Sequence, residues 1–182
     1  MLEELNLYAV KMDIRVQWND LDASQQVNST RFFSWFENAR VEYFIRLGLD
    51  IIDNDEEPGF LVKQQMIAYQ SAVTFPDTVV VGISAVSADQ DKIELEAAFY
   101  SRRHHTLVAR ASVTMVAFQY QTKTSVNIPE NIQRRISQLD QIQVDTLPIY
   151  EKFDINTTIP EFSDEEITRE WMGEMPGQLL DQ

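Results

Sequence analysis

The sequence predicts an α+β domain in which an antiparallel sheet of about five strands packs against one long helix. Two observations support this prediction. Apolar residues first alternate with polar ones, then recur at three- and four-residue spacings, and then alternate again in four later segments. The breaks between those later segments are short, so consecutive strands should pair as antiparallel neighbours.

The first strand is followed, after a polar loop, by the helix. Residues 12–18 alternate between apolar and polar, which is the period of a half-buried strand. The helix that follows has a wide aromatic stripe, which predicts burial on several sides, and Gly48 should end it. The stripe consists of Phe32, Phe33, Trp35, Phe36, Ala39, Phe44, Ile45 and Leu47. Glu37 and Arg40, at i,i+3 spacing, should form a structural ion pair.

Four later segments have the two-residue period of strands. They cover residues 67–73, 79–85, 93–99 and 107–117. Pro129 is placed to start a short helix with an apolar face formed by Ile132, Ile136 and Leu139. Residues 1–139 should therefore form one domain.

Residues 140–182 are predicted to be an acidic extension with one short helix. From Gln141 onward there are ten acidic and two basic residues, which account for −8 of the net charge of −14. The capping box at 163–166 should open the helix.

Composition excludes several classes of protein. A net charge of −14 argues against nucleic-acid binding. No apolar run is long enough to cross a membrane, and the first five residues carry acids where a secretory signal would carry Lys or Arg. With no cysteine there is no thiol nucleophile, and the adjacent His104 and His105 lack the spacing of a metal site. We expect a cytoplasmic protein without a metal.

The residues between the first strand and the helix include a candidate catalytic carboxylate. Asp22 lies in a polar loop, where a carboxylate can act as a general base on water or attack a carbonyl carbon. The free N–H groups of a helix that starts near Asn28 or Ser29 could bind the carbonyl oxygen. Asn28 is the expected N-cap. An acid at such a position is also a common turn former, so the residues alone leave both roles open.

The loop Trp18-Asn19-Asp20-Leu21-Asp22-Ala23-Ser24-Gln25-Gln26-Val27-Asn28 and the following residues 31–40 resemble the start of hot-dog-fold thioesterases. These include the 4-hydroxybenzoyl-CoA thioesterase type and the second half of plant acyl-acyl-carrier-protein thioesterases. The likeness continues through Thr74-Phe75-Pro76-Asp77 to Ile128-Pro129-Glu130 and covers roughly residues 10–137. It implies a hot-dog fold, in which about five strands wrap around the central helix. It also implies a homodimer or homotetramer, with the active site at the subunit boundary.

The resemblance further implies hydrolysis of an acyl thioester. Asp22, the second acid of the Asp20–Asp22 pair, would be the base or nucleophile, and the Ser29 N–H would polarise the carbonyl. The catalytic Asp, Asn and His of the plant enzymes correspond to Asp22, Ser24 and Gln26, so only the first is kept. Gln26 cannot transfer a proton at neutral pH, although its amide can hold water or a carbonyl.

Further residues are expected to position the substrate. Gln26 and Asn28 should orient water or the thioester. The predicted substrate contacts are Ser24, Arg31, Phe32, Arg102 and Arg103. For Arg102 and Arg103 the choice is between phosphate binding and a solvated turn. No metal or redox cofactor is implied, and coenzyme A or acyl carrier protein would carry the acyl group.

Two other functions fit the same fold. Because the usual loop His is replaced by Gln26, a hot-dog protein that binds acyl groups or partners without hydrolysis is one alternative. A dehydratase or hydratase is the other, but that chemistry needs a His beside the acid, and His104 and His105 are distant in sequence.

Overall fold

The computed structural model describes residues 2–49 and 57–140. Three helices and six strands follow one another along these residues. They are α1 (Leu2–Leu5), β1 (Val10–Arg15), a 3₁₀ turn (Trp18–Asp20), α2 (Ser29–Arg46), β2 (Gly59–Tyr69), β3 (Thr78–Asp89), β4 (Lys92–Ser101), β5 (Thr106–Gln119), β6 (Thr124–Ser125) and α3 (Glu130–Asp140).

The strands form one antiparallel sheet in the order β1-β3-β4-β5-β2, and the two-residue β6 pairs with β5. The predicted α+β architecture is confirmed. In the register of the central strands, Ile83 lies opposite Ala97 and Leu95 lies opposite Val113. Because all five long strands are antiparallel, the end of β1, the start of β3 and the β4–β5 turn lie at the same end of the sheet. This end, called the loop end below, carries the candidate site.

The first two strands differ from the predicted ones. Trp18 belongs to the 3₁₀ turn and not to β1, which ends at Arg15. β2 starts at Gly59, well before the predicted residue 67. The polar residues 63–65 and a register shift between Val62 and Gln64 interrupt the two-residue alternation, which hides this part of the strand from sequence analysis.

The core lies between α2 and one face of the sheet. Phe32 and Phe36 both contact Phe99 of β4, with ring centroids 5.5 and 6.4 Å apart. Phe33 and Ile45, two members of the predicted apolar stripe, are instead 37% and 52% exposed. The stripe was therefore predicted too wide: a helix on a single sheet can bury only part of its circumference.

Arg40 does not form the predicted ion pair with Glu37. Its side chain turns into the core, where the guanidinium carbon lies 5.5 Å from the Phe36 ring centroid. Within the described residues its Nε and Nη1 have no hydrogen-bond partner. Burial lowers the pKa of Arg40, and the charge of Glu37 opposes that shift.

α3 is fixed to α2 and to β3 by polar contacts of its last residue. Tyr43 Oη donates to Asp140 Oδ2 at 2.6 Å, and the Ala85 N–H donates to Asp140 Oδ1 at 3.3 Å. Burial raises the pKa of Asp140. The sequence placed Asp140 at the start of the acidic extension, yet it is the last residue of α3. The rest of that extension, including the helix predicted to open at Ser163, lies outside the described residues.

Candidate active site

Backbone hydrogen bonds hold the loop that carries Asp22 against residues 73–77. The Val16 N–H donates to Asp77 O at 3.0 Å, and the Val27 N–H donates to Val73 O at 2.8 Å. Between these two bonds, Gln26 forms an antiparallel bridge with Thr74. The loop is therefore fixed on both sides at the loop end of the sheet, immediately before α2.

The carboxylate of Asp22 closes this loop with one oxygen. Its Oδ1 accepts from the backbone N–H groups of Ser24, at 2.8 Å, and Gln26, at 3.3 Å. In the described part of the chain, no hydrogen bond reaches Oδ2, and the side chain is exposed. Asp22 is thus a turn former through one oxygen, which leaves the other available for chemistry.

Gln25 adopts a backbone conformation that side chains rarely take. Its φ of +59° lies in the left-handed region that glycine favours. The Gln25 N–H donates to Asp22 O at 3.0 Å, and the Asp22 N–H donates to Gln26 O at 2.7 Å. These bonds keep the tight turn although a side chain is present.

Asp20, the first acid of the pair, is buried and structural. Its Oδ2 accepts from the Gln17 N–H at 2.8 Å, and its Oδ1 lies 3.2 Å from Arg31 Nε. Arg31 also donates to Asn19 O at 3.0 Å. The structure therefore places Arg31, a predicted substrate contact, in an ion pair that joins the 3₁₀ turn to the first turn of α2.

The start of α2 leaves a backbone amide without a partner inside the helix. Asn28 is the N-cap, as predicted, and its Oδ1 accepts from Thr30 N at 2.9 Å. Ser29 is the first helical residue, so its N–H has no intrahelical acceptor. The helix dipole adds partial positive charge at this point. The loop that carries Asp22 therefore runs directly into the helix terminus that carries the Ser29 N–H.

A tyrosine joins this helix terminus to β2. Tyr69 Oη donates to Ser29 O at 3.0 Å, and its ring meets Phe32 edge-to-face at 5.3 Å. Phe32 itself is 3% exposed and belongs to the core. Sequence reasoning missed Tyr69 as a site neighbour because its partner Ser29 is 40 residues away. No local spacing could have revealed this contact.

The β4–β5 turn brings Arg102 and Arg103 to the same end of the sheet. Arg102 Nη2 lies 2.7 Å from Asp13 Oδ2 in an exposed ion pair. Arg103 donates through its backbone N–H to Asp77 Oδ1 at 3.0 Å and through Nη1 to Pro76 O at 3.3 Å. The turn thus rests on the segment that supports the Asp22 loop. Ser24 and Gln26 are exposed within that loop.

The site consists of a carboxylate, a helix N-terminal amide and nearby arginines. Across residues 2–49 and 57–140, no three His, Asp or Glu side chains are grouped to hold a metal ion. In the same ranges no helix has the length and apolarity needed to span a membrane.

Comparisons with known proteins identify the fold. The family model described as thioesterase-like superfamily matches residues 16–136. No curated protein matches this chain. A thioesterase from Thermus thermophilus, complexed with coenzyme A and zinc, is 25% identical with a TM-score of 0.66, covering 74% of this chain and 96% of that one. The PA2801 protein from Pseudomonas aeruginosa is 27% identical with a TM-score of 0.64, covering 71% and 98%.

A third structure supports the fold alone. The SAV2348 protein from Staphylococcus aureus, in complex with CoA, is 16% identical, with a TM-score of 0.73 and coverage of 82% of this chain and 94% of that one. Together with the sheet order and α2, these matches confirm the predicted hot-dog fold.

Proposed function

Because the chain belongs to the thioesterase-like superfamily and is a thioester hydrolase, we propose that it hydrolyses acyl-CoA thioesters with Asp22 as base or nucleophile. The observation that carries this proposal is that only one of the two Asp22 carboxylate oxygens is used to hold the loop. Oδ1 holds the loop through the Ser24 and Gln26 N–H groups, and Oδ2 is left for water or substrate. CoA as the carrier is supported by the thioesterase from Thermus thermophilus complexed with coenzyme A, to which this chain is 25% identical.

The proposed reaction uses the Ser29 N–H as the donor to the thioester carbonyl oxygen. Negative charge develops on this oxygen when the carbonyl carbon is attacked, and the N-terminus of α2 stabilises it. Asp22 either takes a proton from the attacking water or attacks the carbon itself, giving a mixed anhydride that water then hydrolyses. The C–S bond breaks, the thiolate leaves and is protonated, and the acyl group is released as a carboxylic acid.

Neighbouring polar groups have supporting roles in this proposal. The Gln26 side chain, exposed beside Asp22, can hold the water or the carbonyl by hydrogen bonds. Asn28 acts by fixing the helix start, because its Oδ1 is engaged with Thr30. Ser24 would contact the substrate beside the Asp22 carboxylate. Beyond water and the acyl-CoA substrate itself, the proposed reaction requires no other non-protein group.

Thiol release from a panel of acyl-CoAs with short, long and aromatic acyl groups tests this proposal. We expect turnover with at least one member, measured by a thiol-reactive dye, together with stoichiometric carboxylic acid. Acyl-CoA that binds in calorimetry but is never hydrolysed would contradict the proposal. That result would favour the alternative, a hot-dog protein that binds acyl groups without hydrolysis.

We further propose that the chain forms homodimers through β2, alone or as the unit of a homotetramer. β2 ends the sheet, and among the described residues no strand pairs with its outer edge. Leu61, Val62, Met66 and Tyr69 on this strand are 39–47% exposed. An exposed edge strand that carries several apolar side chains can pair with a strand of another chain. Pairing of two β2 strands would place Tyr69, which bonds Ser29, at the subunit boundary.

The substitution Met66→Lys tests this assembly. A charge in the middle of the proposed interface should convert the dimer to a monomer, because two lysines would be buried close together. Sedimentation velocity of wild type and variant measures the change, and Glu94→Lys on the central strand β4 is the control. A monomeric wild type, or a dimer that persists in Met66→Lys, would contradict the β2 interface.

A further inference from the structure

An aromatic pair at the loop end of the sheet is exposed without a structural reason. Trp18 is 70% exposed, the highest value among large apolar residues in the described ranges, and Phe75 is 41% exposed. Their rings meet edge-to-face at 5.6 Å with an interplanar angle of 88°. Large aromatic side chains normally bury most of their surface, so this pair leaves an unusual amount of aromatic surface open to solvent, with the more exposed Trp18 ring offering the larger area for stacking.

The backbone on both sides of the pair is fixed close to the proposed catalytic loop. Trp18 opens the 3₁₀ turn, whose last residue, Asp20, is bound to Arg31. Phe75 follows Thr74, which bridges to Gln26. The two rings therefore lie on two backbone segments that are fixed beside Asp22. A ligand bound at Asp22 could extend onto these rings without any rearrangement of the backbone.

Two arginines without a salt bridge to any described residue are close to the pair along the chain or in contact with its backbone segment. Arg103 Nη1 donates to the carbonyl of Pro76, directly after Phe75, and the side chain is exposed. Arg15 is exposed three residues before Trp18. Neither Arg15 nor Arg103 forms a salt bridge with any described residue, whereas Arg102 is paired with Asp13. In a chain with a net charge of −14, two unpaired arginines beside exposed aromatic rings suit an anion with a flat aromatic part.

We propose that the Trp18–Phe75 pair stacks on the adenine of coenzyme A and that Arg103 and Arg15 bind its phosphates. This inference rests on the proposed function and names the part of the carrier that this chain recognises. Bases stack on aromatic side chains, and arginine binds phosphate through charge-assisted hydrogen bonds. An acyl carrier protein presents the same thiol arm without a base, so an aromatic platform favours the free nucleotide carrier.

The Trp18–Phe75 pair would bind a part of the substrate that does not react. This determines which kinetic constant should change when the pair is removed. We expect these contacts to stabilise the ground state and the transition state equally, because the nucleotide stays in the same place while the thioester reacts. Removing them raises KM and leaves kcat nearly constant. The effect should also depend on whether the substrate carries the nucleotide.

The test compares Trp18→Ala and Arg103→Ala with wild type on one acyl group carried either by CoA or by pantetheine, which lacks the nucleotide. We expect the KM for the CoA thioester to rise about tenfold in Trp18→Ala, equivalent to ~1.4 kcal/mol of binding. For the pantetheine thioester the change should be much smaller. Tyr120→Ala is the matched control, because Tyr120 is 57% exposed and meets Phe118 edge-to-face at 5.5 Å.

Calorimetry with adenosine 3′,5′-bisphosphate separates this inference from the proposed function. Wild type should bind this nucleotide and Trp18→Ala should bind it about tenfold more weakly, even if no thioester is hydrolysed. Equal KM changes with both thioesters, or nucleotide binding that is unaffected by Trp18→Ala and Arg103→Ala, would overturn the proposal. Hydrolysis of acyl groups on acyl carrier protein alone, without nucleotide binding, would overturn it too.

Discussion

Substitution of Asp22 by asparagine is expected to lower kcat for thioester hydrolysis by roughly 10²–10³-fold. Asparagine keeps the shape of the side chain but has neither the negative charge nor the basicity of a carboxylate. It can neither deprotonate water nor form a mixed anhydride. Both proposed routes therefore fail with the same substitution. Thiol release under saturating acyl-CoA measures the loss.

The fold should be unaffected by this substitution, which makes the test specific. The loop uses only Oδ1 of Asp22, as acceptor for the Ser24 and Gln26 N–H groups, and the amide oxygen of asparagine can accept the same two bonds. We expect an unchanged Tm for Asp22→Asn. Asp89→Asn, at the opposite end of β3, is the matched control for removing one surface charge.

The outcome also distinguishes two kinds of failure. Hydrolysis that persists at the wild-type rate in Asp22→Asn would leave the chain a thioester hydrolase and remove Asp22 from the chemistry. A large fall in Tm would show that the carboxylate is required for the loop itself. In that case the loss of rate could not be assigned to catalysis.

The local parts of this site could be predicted from the sequence. The position of Asp22 between a strand and a helix, the Asn28 cap and the Ser29 amide all follow from neighbouring residues, because turns and helix caps depend on side chains a few positions away. The alternation in β3, β4 and β5 was equally visible, because every second residue of these strands is an apolar residue of the main core, even where β3 and β4 also bury their other face.

The remaining features depend on contacts that are distant in sequence. Tyr69 reaches Ser29 across 40 residues, and Arg40 turns into the core instead of pairing with Glu37 on the helix surface. The start of β2 is hidden by its polar residues and its register shift. Tertiary packing decides each of these, and residue spacing along the chain carries no information about them.

Asp77 is the residue whose loss should destabilise the site most, although it lies outside the proposed chemistry. It is 7% exposed, and its carboxylate accepts from Ser101 Oγ, from the Arg103 N–H at 3.0 Å and from the Thr78 N–H at 2.6 Å. Asp77→Ala would leave one buried donor, Ser101 Oγ, and two partly buried N–H groups without this acceptor. We expect this to lower the free energy of unfolding by about 3 kcal/mol, from the cost of unsatisfied buried polar groups.

Asp13 provides the matched control for this prediction, because it contacts the same β4–β5 turn from the surface. Its ion pair with Arg102 has both side chains more than half exposed, so Asp13→Ala should cost less than about 1 kcal/mol. Thermal unfolding should then show a fall in Tm of roughly 6–12 °C for Asp77→Ala and a much smaller one for Asp13→Ala. Similar shifts for the two variants would contradict the view that burial of the carboxylate, and not its contact with the turn, stabilises this end of the sheet. Asp77→Ala keeps the backbone carbonyl that accepts from the Val16 N–H. Activity should therefore fall only as far as loss of the carboxylate contacts displaces this segment and, with it, the Asp22 loop.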